Sequence, residues 1–278
     1  MYNFEHEPAA SDLRTRYDVH YTLPSRCAAE LHAGEADLGL IPIAELTPDL
    51  LIVPGCTIAS LHQVRSIVLL VRCRQGASTA EAIRAVRTIA ADSASRSSAA
   101  YVRILLMKFY SATGTLVEHP ADPLAMLASH DAALLIGDPA LLARERRGAI
   151  DAVIGAQSGA TLLWLDVAQL WRELTGLPWV AAVWAVRPEA ITPGKIPAAM
   201  LIEDLQRSRD KGLAQVEQLV TEWSARLPLP QATIRTYLTE NIYYFLDAPC
   251  LHAIALFRRY AAELSVLEPL GPLHLIEP

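Results

Sequence analysis

Four cysteines in 278 residues are few, and Cys27, Cys56, Cys73 and Cys250 lie far apart. They make neither a CxxC pair nor a dense framework. A disulfide scaffold is therefore excluded, and reduced thiols in a cytoplasm are expected. The eight histidines contain no HxxxH or HExxH spacing, so no metal is expected. No GxGxxG follows an apolar strand, no GxxxxGK[ST] occurs and no GxSxG elbow is present. Those absences remove the common nucleotide-binding and serine-hydrolase routes. Met1-Tyr2-Asn3-Phe4-Glu5-His6 is polar where a secretory leader has its apolar core. No apolar run is long enough to span a bilayer. Net charge is −6 with no block of like charges, so neither nucleic acid nor a membrane is an expected partner. A small anion stays open as a ligand, because a local pocket can be positive inside an acidic chain.

What is present is a large apolar content, 52% of residues, with 19% charged. That is a globular composition with room for one large α/β domain or two lobes. Arg16 to Tyr21 alternates as a strand does, and Pro24-Ser25-Arg26 opens a helix, with Ser25 read as its cap and Gly34 as its end. Asp37 to Pro42 and Leu51 to Val53 read as strands, the second stopped by Pro54-Gly55. Ser66 to Val71 is apolar throughout, as a central strand is. Helix and strand then alternate through Leu165. Ser78, Asp122 and Asp166 stand as N-caps, and a helix after Gly137-Asp138-Pro139 runs to Arg147. Val180 to Val186 is again apolar, and after Pro188 three helices are expected, Ala198 to Arg226, Gln231 to Phe245 and Ala248 to Leu264. Two strands, Ser66–Val71 and Val180–Val186, flank the middle block and are expected to cross between lobes. The expected division is 1–74 with 184–278 as one lobe and 75–183 as an inserted α/β lobe, with the ligand in a cleft between them.

The stretch organising the middle block is Thr88 to Phe109. An apolar strand ends in Asp92-Ser93-Ala94-Ser95-Arg96-Ser97-Ser98, and a helix with Val102, Leu105, Leu106 and Phe109 at helical spacing follows. The start of a helix offers unpaired N–H groups and the positive end of its dipole, to which Ser95, Ser97 and Ser98 add hydroxyls and Arg96 a cation. Carboxylates and phosphates bind at such places. Simple N-capping by serine is the plainer account of the same residues. His62 and His130 sit near expected loops, and Cys27 and Cys56 are thiols. Structural histidines and small packing residues are the stronger reading of all four. Trp164, Trp171, Trp179 and Trp184 read as core.

Several phrases occur together in order. These are Pro24 to Leu31 followed by Gly34 to Pro42, the Ser95-Arg96-Ser97-Ser98 turn, Ala133 to Asp138, and Leu170-Trp171-x-x-x-Thr175-Gly176-Leu177-Pro178-Trp179-Val180 with Ala182 to Ala185 behind it. In these the chain resembles the chorismate dehydratase family of the futalosine route to menaquinone, from about Tyr17 to the C-terminus. The resemblance implies a two-lobed fold like type II periplasmic binding proteins. It implies loss of water from chorismate to give 3-[(1-carboxyvinyl)oxy]benzoate with no cofactor and no metal. Carried over by motif, Ser66 falls where the family places a serine opening a crossover strand and is the catalytic candidate. Ser97 and Ser98 fall on the ligand turn, and Gly137 with Asp138 on the opposing loop. Arg96 either pairs with a substrate carboxylate or holds the turn. Ser60 and Pro178 are weaker pocket candidates. For Ser66 the plainer account is a strand-end hydroxyl bonded to backbone.

Family members normally open with a strand and a Tyr/Phe-Leu-Asn-x-x-Pro-Leu phrase whose asparagine lines the pocket. Here Asn3 sits in Tyr2-Asn3-Phe4, which matches the stretch downstream of that phrase, so an uncovered sheet edge is expected. Two rivals remain. A sister family of the same pathway, forming 1,4-dihydroxy-6-naphthoate, carries a catalytic histidine where this chain has Gly137. A non-catalytic small-anion binding module on the same two lobes is the other. The helical C-terminal third offers a surface for a second copy of the chain, a homodimer.

Overall fold

The computed structural model describes every residue except Ser93, Ala94, Ser95, Pro193 and Pro278. The chain divides into two units. One comprises Met1–Ala59, Val180–Ala255 and the residues from Leu270 on, and the other Ser60–Trp179 with Leu256–Pro269.

The first unit begins with α1 (Tyr2–Glu5), α2 (Ala9–Leu13) and α3 (Pro24–Ala33), then β1 (Leu38–Pro42) and β2 (Leu51–Ser60). The stretch from Arg16 to Tyr21 is not a strand: no ladder partner among the described residues lies beside it, and alternation without a partner does not make one. Leu23, not Ser25, is the N-cap of α3, because Pro24 takes the first helical position where its missing N–H costs nothing. Strand β2 continues through Pro54-Gly55 instead of stopping there. It lies at the edge of a three-stranded sheet of order β1-β8-β2, β8 being Trp179–Val186, and edge strands tolerate proline. Gly55 adopts φ +84, and side chains of a later helix, spanning Ala198–Ala214, hold the kink: Gln206 Nε2 donates to Pro54 O (3.4 Å) and Arg209 Nη1 to Gly55 O.

The second unit runs β3 (Ile67–Cys73), α4 (Thr79–Ala85), β4 (Thr88–Ala91), α5 (Arg96–Ile104), β5 (Thr115–Glu118), α6 (Pro123–Ser129), β6 (Ala132–Ile136), α7 (Asp138–Glu145), α8 (Arg147–Ser158), β7 (Thr161–Asp166) and α9 (Val167–Thr175). Its sheet has the order β5-β4-β6-β3-β7, with β4 parallel to β5 and β6, and β3 antiparallel to β6 and β7. This places β3 inside the second unit, paired on both sides, so it is not a crossing strand. The chain enters this unit at Ser60, after β2, and not at residue 75. Both faces of the sheet are covered: Leu69, Val71, Ile89 and Leu134 are buried on one, and on the other Val68, Leu70, Ala90, Ala133 and Leu135 are buried with Met126, Leu127 and Ile150 from the helices. Ser78 closes a full capping box with Glu81, and Asp122 and Asp166 cap their helices as expected.

The C-terminal part supplies α10 (Ala198–Ala214), α11 (Val216–Ser224), α12 (Gln231–Thr236) and α13 (Ala248–Glu263). The helix expected to Arg226 breaks at Gln215. The one expected to Phe245 ends in a π turn at Tyr237–Asn241, after which the chain runs extended and Tyr243 bridges Ala59. In the second unit the helix after Gly137 likewise ends at Glu145, and α8 follows it directly.

Asp131 ties the start of β6 to that of β4. Its carboxylate accepts from the N–H of Arg87 (2.9 Å) and Thr88 (3.0 Å) and from the Thr88 hydroxyl (3.3 Å). Burial acts to raise its pKa, but the bonds to Arg87 and Thr88 outweigh it and hold the carboxyl below the usual aspartate range. The contribution is therefore complete above the ordinary aspartate value, about 4, and is lost as pH falls through the depressed one. Asp131→Asn is expected to lower the melting temperature by about 2–4 °C at neutral pH and to flatten its decline on acidification. Melts recorded from about pH 7 to pH 3 check this; parallel curves for the two proteins would contradict it.

Candidate functional site

The strand directions of the second unit bring four chain segments to one end of its sheet. Because β3 runs against β6 and β7, its first residue lies beside their last ones: Ile67 faces Ile136, and Val68 faces Asp166. Strand β4 runs with β6 and ends at the same side, where Asp92 N–H donates to Leu134 O (3.1 Å). That end therefore carries Ser66 before β3, Gly137 and Asp138 after β6, Asp92 after β4, and Asp166 at the end of β7. Adjacent strands lie about 4.8 Å apart, so the ends of β4 and β3, separated by β6, stand about 10 Å apart, a span suited to a small dicarboxylate.

Ser66 is buried, at 5% exposure, and its carbonyl accepts from Gly137 N–H at 2.7 Å. Gly137 has φ +68 and ψ −140, a conformation almost reserved for glycine, and a Cβ built there would meet nothing within 4 Å. Asp138 beside it is exposed and opens α7. Ser97 and Ser98 lie in the first turn of α5, and both are fully buried at 0%. Ser95 lies outside the described residues. Arg96, exposed, holds the first position of α5, where the helix dipole disfavours a cation. The helix is anchored from below by Tyr101, whose ring meets Trp171 edge-on at 4.9 Å, Phe257 at 4.4 Å and Trp179 at 5.7 Å. Trp171 and Trp179 are thus core, as expected.

The other candidates lie on other segments of the chain. Ser60 ends β2 and is buried, with no hydrogen-bond partner for its hydroxyl among the described residues. Pro178 is buried, and its carbonyl accepts from Trp171 Nε1 at 3.0 Å. His62 is exposed, and His130 is tied to Met126 O and Ser129 Oγ beside its own helix. Burial pushes the thiols of Cys27 and Cys56 up, and that of Cys250 up to about 12, so these sulfurs stay protonated packing groups. Among the described residues no group of three His, Cys, Asp or Glu is placed to hold a metal ion. None of the described helices is long and apolar enough to cross a membrane.

In the sequence Asp166 reads only as a cap. Its carboxylate does accept from Ala168 and Gln169 N–H (3.1 and 3.2 Å), but also from Val64 and Arg65 N–H (3.2 and 2.8 Å) and from Arg144 Nη2 (3.0 Å). Arg144 Nε in turn donates to Arg65 O at 2.8 Å. No local signal marks Arg144 for this: it lies on α7, far along the chain from both partners.

The sequence matches the profile described as menaquinone biosynthesis over residues 2–263. The chain belongs to the menaquinone biosynthesis family. A chorismate dehydratase of Thermus thermophilus is 27% identical to it over 244 residues, covering 84% of this chain and 82% of that protein. Among solved structures, protein AF1704 of Archaeoglobus fulgidus superposes with a TM-score of 0.63 at 15% identity, covering 96% of this chain and 94% of the other. The periplasmic aliphatic sulphonate binding protein SsuA of Escherichia coli superposes with a TM-score of 0.57 at 17% identity, covering 94% and 83%. These likenesses show the fold. This member of the menaquinone biosynthesis family is built on the two-lobed periplasmic-binding-protein plan expected from its motifs.

Proposed function

We propose that this chain is a chorismate dehydratase, a carbon–oxygen lyase making 3-[(1-carboxyvinyl)oxy]benzoate and water. The observation that carries the reading is that Ser66 and Gly137 are bonded at one end of a single sheet, the end at which β4 also finishes before the buried serines of α5, in a chain of the menaquinone biosynthesis family. The similarity to the Thermus thermophilus enzyme supports it.

The chemistry suits such a cradle. Chorismate is a dianion, and hydroxyls with the leading amides of α5 bind one carboxylate. The ring C–H beside the ether is allylic and conjugated through a double bond to the ring carboxylate. When that bond breaks, its electron pair spreads into the carboxylate, and donors there stabilise the developing dienolate. The electrons return to expel the neighbouring hydroxyl, the ring becomes aromatic, and proton and hydroxide leave as water. With aromaticity driving the step, a strongly tuned protein base is unnecessary, and the substrate's other carboxylate takes the proton. Ser66 is the catalytic donor; Ser97, Ser98, Arg96, Gly137 and Asp138 bind substrate. The sister reaction to 1,4-dihydroxy-6-naphthoate is disfavoured, because its histidine is replaced by Gly137, where even a Cβ would meet no neighbour within 4 Å.

Mixing the protein with chorismate and following the ultraviolet spectrum tests the assignment. Growth of a benzoate-type band is expected. Binding without conversion would instead identify a small-anion binding module.

A further inference from the structure

The residue before Ser66 is held in an unfavourable backbone conformation by a buried ion pair. Arg65 has φ +62, in the left-handed region that side chains other than glycine rarely adopt. Its own turn is closed by one bond, from Ser66 N–H to Val64 O at 2.8 Å. Beyond that bond, Asp166 accepts the N–H groups of both Val64 and Arg65, while Arg144 takes the Arg65 carbonyl with Nε and Asp166 with Nη2. The side chains of Arg144 and Asp166 are 15% and 4% exposed. Removing such charges from water is costly, and a simple helix cap at Asp166 would not need the arginine. The network also spans the site: Arg144 rides on α7, whose N-cap Gly137 donates to Ser66 O, and Asp166 starts α9. Three peptide groups before Ser66 and the one after it are thereby fixed.

We infer that Asp166 and Arg144 are positioning residues for Ser66, stabilising the strained Arg65 so that the Ser66 hydroxyl is set before substrate arrives. This rests on the assignment of Ser66 as the catalytic donor. The pair does not touch substrate; it acts through the backbone of Val64 and Arg65. Lysine at position 144 would keep the charge and the bond to Asp166 but lose the two-pronged grip, since one ammonium does not reproduce the planar fork.

A double-mutant cycle on the full chain tests this, with kcat, KM and melting temperature measured for Arg144→Lys, Ser66→Ala and the double variant. The expected result is a folded Arg144→Lys protein with kcat lowered about tenfold and KM changed less than about twofold. In the Ser66→Ala background the same substitution leaves kcat within about twofold, because the group it positions is gone. An unchanged kcat for Arg144→Lys overturns the inference, and so does an equal loss in both backgrounds, which marks a structural pair. Full turnover by Ser66→Ala alone is a separate outcome and sinks the assignment of Ser66 itself. Should Arg144→Lys fail to fold, Asp166→Asn, which keeps one acceptor oxygen, enters the same cycle with the same criteria.

Discussion

Ser66→Ala lowers kcat for chorismate by about 10²- to 10³-fold and leaves the melting temperature within a few degrees, the loss found when one donor to a developing oxyanion is removed. The split between the two readouts carries the argument. Ser66 is 5% exposed and immediately precedes β3, so its hydroxyl has a structural account, a bond to nearby backbone. On that account, truncation costs stability, since a buried partner loses its bond, while turnover stays near that of the parent. On the catalytic account the ground state has little to lose, because the interaction strengthens only as charge moves into the ring carboxylate. KM is therefore expected to change far less than kcat.

Reversing the charge at Arg96 is the second large effect. A cation at the first position of a helix works against the dipole, and a carboxylate there works with it. If Arg96 only held the turn, Arg96→Glu would loosen α5 and lower the melting temperature with little change in KM. If it meets a substrate carboxylate, the substitution leaves stability unchanged or raised and increases KM about 100-fold, because an attraction becomes a repulsion at close range. The second result is expected. The increase should shrink in high salt, as befits an exposed side chain. Steady-state kinetics at two ionic strengths with a melt of each protein separate the readings.

The residues that make local sense are legible in the sequence alone. The capping box at Ser78, the Asp122-Pro123 start and the left-handed Gly34 and Gly176 each follow from chemistry within one turn of chain. The apolar run of β3 was legible as a buried strand for the same reason. Its neighbours were not, because pairing is a long-range property, and a strand apolar on both faces fits a crossing strand as well as an interior one. Pro54-Gly55 misled because a breaker is decisive only inside a sheet, and β2 lies at an edge. The same limit applies at the site. Ser66, Ser97, Ser98 and Gly137 could be named from motif, since each sits on a segment with its own signature. Arg144 could not, for its role exists only where α7 passes the loop before β3. A fold shared with sulphonate-binding proteins does not decide between catalysis and binding, so the functional argument rests on these side chains and not on the architecture.

The central claim is that a carboxylate of the substrate is held by the first turn of α5 beside Ser66 and Gly137. A crystal structure of the protein with 3-[(1-carboxyvinyl)oxy]benzoate tests it most directly. The account predicts one carboxylate of the product within hydrogen-bond reach of the Ser97 or Ser98 hydroxyl and the leading amides of α5, with the aromatic ring between that turn and Ser66. A product molecule bound away from that end of the β4-β6-β3-β7 sheet, with Ser66 and Ser98 touching only protein, would contradict it.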